Sequence, residues 1–169
     1  LLLVGSFLRK DHPLFAARVR AAAKRGAKVS VVHAADEDLL MPVAHKAIVA
    51  PSRWAAVLAE VLVAALQAQG RVAPAALSAA VSIDLAAVVP GEGARAIAAS
   101  LSSGERCAVL LGNAAVQHPD YARIARLAQA VAAAGAARFG QIGDAANSVG
   151  GYLARAVPSA GGLDARAMV

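Results

Sequence analysis

Short continuous apolar runs alternate along this chain with longer stretches whose apolar positions recur at helical spacing. Leu1–Val4 is the first run, and it stops at Gly5-Ser6. Such runs, bounded by turn residues, predict strands buried on both faces of a parallel sheet. Pro13 then stands where a first helical turn tolerates it, with Asp11 upstream as a candidate cap. Leu14, Ala17 and Ala21 form an apolar stripe, Gly26 ends the helix, and Val29–Val32 makes a second strand. Together these predict a βαβ unit with a right-handed crossover.

The same plan returns from Ala108 onward. Ala108–Leu111 ends at Gly112-Asn113, His118-Pro119 opens a helix after a polar loop, and Ile124, Leu127, Ala128 and Val131 carry its apolar face. Gly135 is expected to stop that helix, and Arg138–Ile142 to form the next strand. Gly5 to Pro13 spans eight positions and Gly112 to Pro119 seven, so the two units share a plan without being identical. Between them lie a short strand, Lys46–Val49, and a helix from Ser52 to about Gln69. A Pro- and Ala-rich connection over 70–90 has room for one short helix, and Ala94–Ser102 forms another. Asp144–Ala156 is expected to be helical and Pro158–Gly162 a loop. The expected fold is α/β: a doubly wound, mostly parallel sheet built from two related βαβ halves. Residues 1–169 form one domain or lobe, with halves roughly 1–50 and 105–157 joined by a helical connection over 51–104.

Composition first raises a membrane protein and then removes it. The chain is 59% hydrophobic, above the usual range for a soluble domain, but 47 of its 169 residues are Ala and only 4% are aromatic. A spanning helix needs about 20 consecutive apolar residues. The longest uncharged stretches, Val72–Ile83 and Leu127–Ala137, are shorter and are broken by Pro74 and Gly135. No membrane insertion is expected. The lone Cys107 excludes a disulfide, a Cys-ligated zinc or an iron–sulfur cluster within this chain, and its apolar run predicts a buried, inert thiol. The chain opens without Met inside a predicted strand, as an excised piece of a longer polypeptide would.

Net charge is +6, and position matters more than the sum. Residues 1–28 hold seven basic side chains and one acid, whereas ten of each follow from residue 29 onward. The whole excess therefore falls on one basic helix, Asp11–Lys28, a solvated or partner-facing surface. Arg18, Arg20, Lys24 and Arg25 are its partner-contact candidates.

Ligands of doubly wound sheets bind at the carboxyl ends of strands, where the two halves diverge. Here those ends are Gly5-Ser6-Phe7, His33–Asp36 and Gly112-Asn113, so Gly5, Ser6, Gly112 and Asn113 are the crevice candidates. Neither Gly-ended strand has the spacing of a dinucleotide fingerprint or a phosphate loop. His12 and His118 each precede Pro in equivalent loops and are expected to shape helix entrances. The four His include no metal-binding pair, no Gly-x-Ser-x-Gly elbow occurs, and no catalytic residue is assigned. Asp36-Glu37-Asp38 is a solvated loop or a ribose-binding group, and Asn147–Gly151 a close-packed or ligand-binding segment.

Several segments together resemble a known family. Leu1–Val32 resembles the opening βαβ half of molybdopterin-dependent oxidoreductases. HAADEDLLMPVAHKAIVAP, LLGNAAVQHP and ANSVGGYLA are closer to the large G subunits of bacterial NADH:quinone oxidoreductase, respiratory complex I. The likeness runs from Leu1 to Met168 and is weakest over Gly70–Glu92. It implies a peripheral-arm domain on the cytoplasmic side of the inner membrane, in contact with other domains of its subunit and with neighbouring peripheral-arm subunits. It also implies iron–sulfur clusters in the upstream part of the parent chain.

Active molybdopterin relatives read Pro-Gly-Thr-Asp where this chain has Pro51-Ser52-Arg53-Trp54, and often have Asn where Phe7 follows Gly-Ser. Loss of a nucleotide-binding carboxylate and gain of Arg and Trp both work against that cofactor. The resemblance therefore implies a structural, cofactor-free domain, with Gly5, Ser6, Gly112 and Asn113 a vestigial crevice. Two alternatives stand beside it. One is a molybdopterin guanine dinucleotide-binding domain of an active oxidoreductase. The other is a small nucleotide- or nucleic-acid-binding module using the basic helix over 11–28, although nucleic acid is not the expected partner.

Overall fold

The computed structural model describes residues 1–143, 145, 148–156, 158, 161–163, 167 and 168. Strands β1 (Leu2–Val4), β2 (Ser30–His33), β3 (His45–Ile48), β4 (Ala108–Leu111) and β5 (Arg138–Gln141) form one sheet in the order β3-β2-β1-β4-β5. Every pairing is parallel, which makes the sheet α/β in the doubly wound sense. Central β1 and β2 are buried at every position, as their unbroken apolar runs require. Edge strands β3 and β5 leave Lys46, Ile48, Arg138 and Gln141 exposed.

The repeated plan is closer than the loops predicted. Each half runs strand, Gly, one helical turn, His-Pro, long helix, strand. Helices α1 (Leu8–Asp11) and α2 (Pro13–Lys24) serve the first half. Helices α6 (Asn113–Val116) and α7 (Tyr121–Ala134) serve the second. Both expected polar loops thus contain a turn of helix. Pro13 takes the first position of α2 as expected. Asp11, however, is the last residue of α1, and the cap position of α2 belongs to His12, which makes no side-chain cap bond.

Helix α2 also corrects the predicted stripe. Ala16, Val19 and Ala23 are its buried positions, whereas Leu14 is 83% exposed and Ala17 faces solvent. In a helix this rich in Ala, several three-residue spacings satisfy an apolar stripe, and only contact with Leu3, Val29 and Val31 selects one. Gly26 (φ +96°) closes α2 as predicted: its N–H reaches Ala23 O and that of Ala27 reaches Ala22 O, a Schellman pair. The same pair ends α7, from Ala136 N–H to Ala133 O and from Ala137 N–H to Ala132 O. There the left-handed residue is Ala136 (φ +49°), one position beyond the Gly135 expected to stop the helix.

The connection between the halves supplies most of the core. A 3-10 turn (Pro51–Arg53) leads into α3 (Trp54–Gln67), followed by α4 (Ala75–Val81) and α5 (Glu92–Ser102). Helix α3 buries Leu58, Val61, Leu62, Val63 and Leu66, so apolar side chains surround it on nearly all sides. Such a helix needs cover all round, and α5 and α7 flank it over one sheet face. Buried Ala55, Ala59, Ala98, Ala125, Ala128 and Ala132 let these helices approach closely. Glu60, the one charged residue of α3, accepts the Gly91 N–H at 3.1 Å and ties down the start of α5. Helix α2 covers the other sheet face over a smaller cluster.

Near the end, α8 spans Ser148–Leu153, shorter than the helix expected over 144–156. Asp144, Ala146 and Asn147 of that prediction, and Ser159 and Ala160 of the predicted 158–162 loop, lie outside the described residues. Among the described residues no helix is long and apolar enough to cross a membrane.

Two predictions follow from this packing. Leu62→Ala should cost about 2–5 kcal/mol in urea unfolding, while Leu14→Ala should change stability by less than about 0.5 kcal/mol; equal losses would mean that α2 is wrongly phased. Exchanging the α7 cap residues, Gly135→Ala with Ala136→Gly, should raise stability by about 1 kcal/mol. A Cβ at Gly135 meets only ordinary contacts with Leu101 and Val131 O, so the gain from freeing position 136 of left-handed strain is retained.

Candidate functional site

The switch point lies between β1 and β4, whose chains leave toward opposite faces: α2 on one, α7 on the other. All four crevice candidates meet there. Gly112 donates its N–H to Val4 O at 2.8 Å and Gly5 donates to Val32 O at 2.9 Å, extending the sheet beyond the strand ends. The Gly5 carbonyl then accepts the N–H of Ala114 at 3.0 Å and of Ala115 at 3.4 Å. Ala114 N–H is a free donor of the first turn of α6, and Ala115 N–H is shared with Gly112 O at 3.1 Å; in other doubly wound folds such donors could face a phosphate. Here the chain's own carbonyl occupies them.

Both glycines are explained by this closure. A Cβ on Gly112 would lie 2.4 Å from Ser6 Cα, and one on Gly5 (φ +58°) would lie 2.7 Å from Ala115 N and 2.8 Å from the Trp54 ring. The glycines let two backbones touch, which is the use of glycine least evident from its position alone. Asn113 turns its side-chain amide to the Asp11 carboxylate at 3.0 Å, joining the one-turn helices of the two halves. Asp11 therefore serves the seam rather than the cap for which it was a candidate.

An aromatic cluster fills the space beside this seam. Trp54 is 1% exposed, stacks on His33 with ring centroids 6.2 Å apart, and tilts against His118 at 5.7 Å. Phe7 meets the other side of His33 edge-on at 4.6 Å. Of the pair expected to crowd the crevice, Trp54 enters it and Arg53 stays exposed on the preceding turn. Sequence reasoning found Trp54 but missed its partnership with His33 and Phe7. The available signal was that His33 ends a strand and Phe7 and Trp54 come soon after strand ends, where the carboxyl side of the sheet collects them.

The polar atoms here are enclosed. Ser6 Oγ, His33 Nε2 and Trp54 Nε1 are buried without a partner among the described residues, while His33 Nδ1 engages the Ala35 backbone at 3.1–3.2 Å. The adjoining cavity, lined by Ser6, His33 and Lys46 among others, measures about 10 Å³. It has room for about one water, whereas small-molecule sites occupy roughly 300–1,000 Å³.

The acidic run is committed to the chain itself. Asp36 pairs with Lys46 at 2.5 Å and Glu37 with Lys10 at 3.3 Å. Asp38 Oδ1 accepts the Leu40 N–H at 2.8 Å, and Arg9 donates to the Asp38 carbonyl at 2.5 Å. This loop, 34–44, joins β2 to β3 where many doubly wound folds place a helix. The His-Pro loops are structural in two different ways. His118 Nδ1 accepts the Asp120 N–H at 3.0 Å at the entrance to α7, while His12 Nε2 contacts Gly143 O at 2.8 Å across the halves.

Arg18, Arg20, Lys24 and Arg25 lie away from the seam on the exposed side of α2, and none makes an ion pair among the described residues. The basic excess is thereby divided: Arg9 and Lys10 sit on α1 and hold the acidic loop, so not all of it belongs to one helix. Cys107 is half-buried at the opposite sheet edge, its Sγ 3.4 Å from Gly104 O, and so is less enclosed than its apolar run predicted. Among the described residues no three His, Cys, Asp or Glu side chains converge as a metal site requires.

The sequence matches no protein-family model. No curated protein matches it.

Gly112→Ala should cost about 1–3 kcal/mol in urea unfolding, because its Cβ meets backbone rather than a movable side chain. Trp54→Ala should cost about 3–5 kcal/mol. A glycine kept only for close approach of a ligand would tolerate Ala without loss of stability, so a neutral Gly112→Ala would refute the closed seam.

Proposed function

We propose that this chain is a structural, cofactor-free domain of the peripheral-arm G subunit of NADH:quinone oxidoreductase, with a molybdopterin oxidoreductase-like fold. It supports electron transfer from NADH to quinone by packing against other domains of its subunit and neighbouring peripheral-arm subunits. It supplies no catalytic residue. The observation that carries this reading is the Gly5 carbonyl seated on the first turn of α6, with Trp54 packed beside it. A dinucleotide would have to displace a backbone hydrogen bond and a buried indole from the one place where this fold class binds nucleotides.

The resemblance of LLGNAAVQHP to the complex I subunits gains a physical reason at the same place. Gly112 allows the backbone contact with Ser6, Ala114 and Ala115 present their N–H groups to Gly5, and His118 shapes the helix that follows. In the parent enzyme the clusters would lie upstream, on the cytoplasmic side of the inner membrane, with this domain as peripheral scaffold.

Metal and pterin analysis of the full-length protein purified with its complex tests the reading. Iron without molybdenum or pterin is the expected result. Stoichiometric molybdenum would overturn it in favour of an active molybdopterin enzyme, and a parent chain without Cys-rich cluster motifs would remove it from complex I.

A further inference from the structure

We propose that the groove between α2 and the 34–44 loop is a docking site for an acidic segment of a partner protein that inserts one apolar side chain. The groove measures about 170 Å³. Ala16, Ala17, Leu39 and Leu40 form its apolar floor, and Arg9 and Arg20 its basic rim. It lies below the roughly 300–1,000 Å³ of small-molecule sites, and its size suits a single side chain.

Three features select the occupant. Leu40 is 47% exposed and adopts φ +53°, a left-handed conformation that bulky residues rarely take. Asp38 and Arg9 pin the loop in that state, so an apolar side chain is held at the groove instead of folding inward. Charge then points to a carboxylate partner. Arg20 makes no ion pair among the described residues, and Arg18 and Lys24 extend the basic surface along α2. Asp36 pairs with Lys46 and Glu37 with Lys10, and the Asp38 carboxylate accepts the Leu40 N–H on the Arg9 side of the groove. The unpaired Arg20 side of the groove, beside an apolar floor, complements an acidic segment with one apolar anchor. A nucleic acid would leave that floor unused.

The inference rests on the docking reading above and names the chemistry of one contact. The test uses the full-length protein with a fluorescein-labelled, glutamate-rich helical peptide carrying one central leucine. Its counterpart with serine at that position and a DNA duplex of matched length are the comparisons. Fluorescence polarisation should show binding of the leucine peptide alone, weakened about tenfold by Arg20→Glu and by Ala17→Trp, which fills the groove from an exposed position. Arg106→Glu, the same charge change at the opposite sheet edge, should have little effect. The proposal fails if the leucine peptide does not bind or the serine peptide binds equally. It also fails if Arg106→Glu is as damaging as Arg20→Glu, or if the duplex binds more tightly than the peptide. Copurification of the full-length protein with its respiratory complex separates the two claims: a silent groove with copurification removes only the groove, and peptide binding without copurification removes only the assignment.

Discussion

The backbone contact between the ends of β1 and β4 is the constraint on which the rest of this structure depends. At that position a doubly wound sheet diverges, and two chain ends with free N–H groups ordinarily leave a polar crevice. Here the Gly5 carbonyl satisfies the Ala114 N–H of the α6 turn and shares that of Ala115 with Gly112 O, and Gly112 lies so close to Ser6 that no side chain could stand between them. Once this seam is closed, the neighbouring groups have only one environment available. Trp54, His33 and Phe7 pack as an enclosed aromatic cluster, and Asp11 and Asn113 join the outer turns of the two halves. The switch point of the sheet becomes part of the core.

Closing the seam shifts the weight of the fold onto its crossover. Helix α3 is buried nearly all round, and α5 and α7 can lie against it because alanine occupies so many of the facing positions. The unusual composition is therefore a packing solution. Small side chains replace aromatic bulk, and the core gains density through close helix approach. One charged residue inside that layer, Glu60, is retained because it supplies an acceptor to the start of α5.

Charge is arranged by a similar division. Arg9, Lys10 and Lys46 hold the acidic 34–44 loop against the sheet edge, while the Arg and Lys on the exposed side of α2 make no ion pair among the described residues. The first group spends its charge on internal structure and the second projects it outward. A basic residue neutralised within its own chain contributes little to recognition, so only the second group is left to meet anything outside it.

The sequence by itself determined the strands, the parallel α/β plan, its repetition and the chain ends that would meet. Those features rest on local signals: apolar runs too short for helices, Gly after strands, Pro before helices. It did not determine the phase of α2 or the left-handed residue that ends α7. In an alanine-rich helix several faces are equally apolar, and burial against Leu3 and Val31 settles the choice. Nor did it reveal that Gly5 and Gly112 close a crevice instead of lining one. A glycine has the same local freedom in either case, and only the atoms brought to it from Ser6, Ala115 and Trp54, distant in sequence from one another, decide what that freedom is used for.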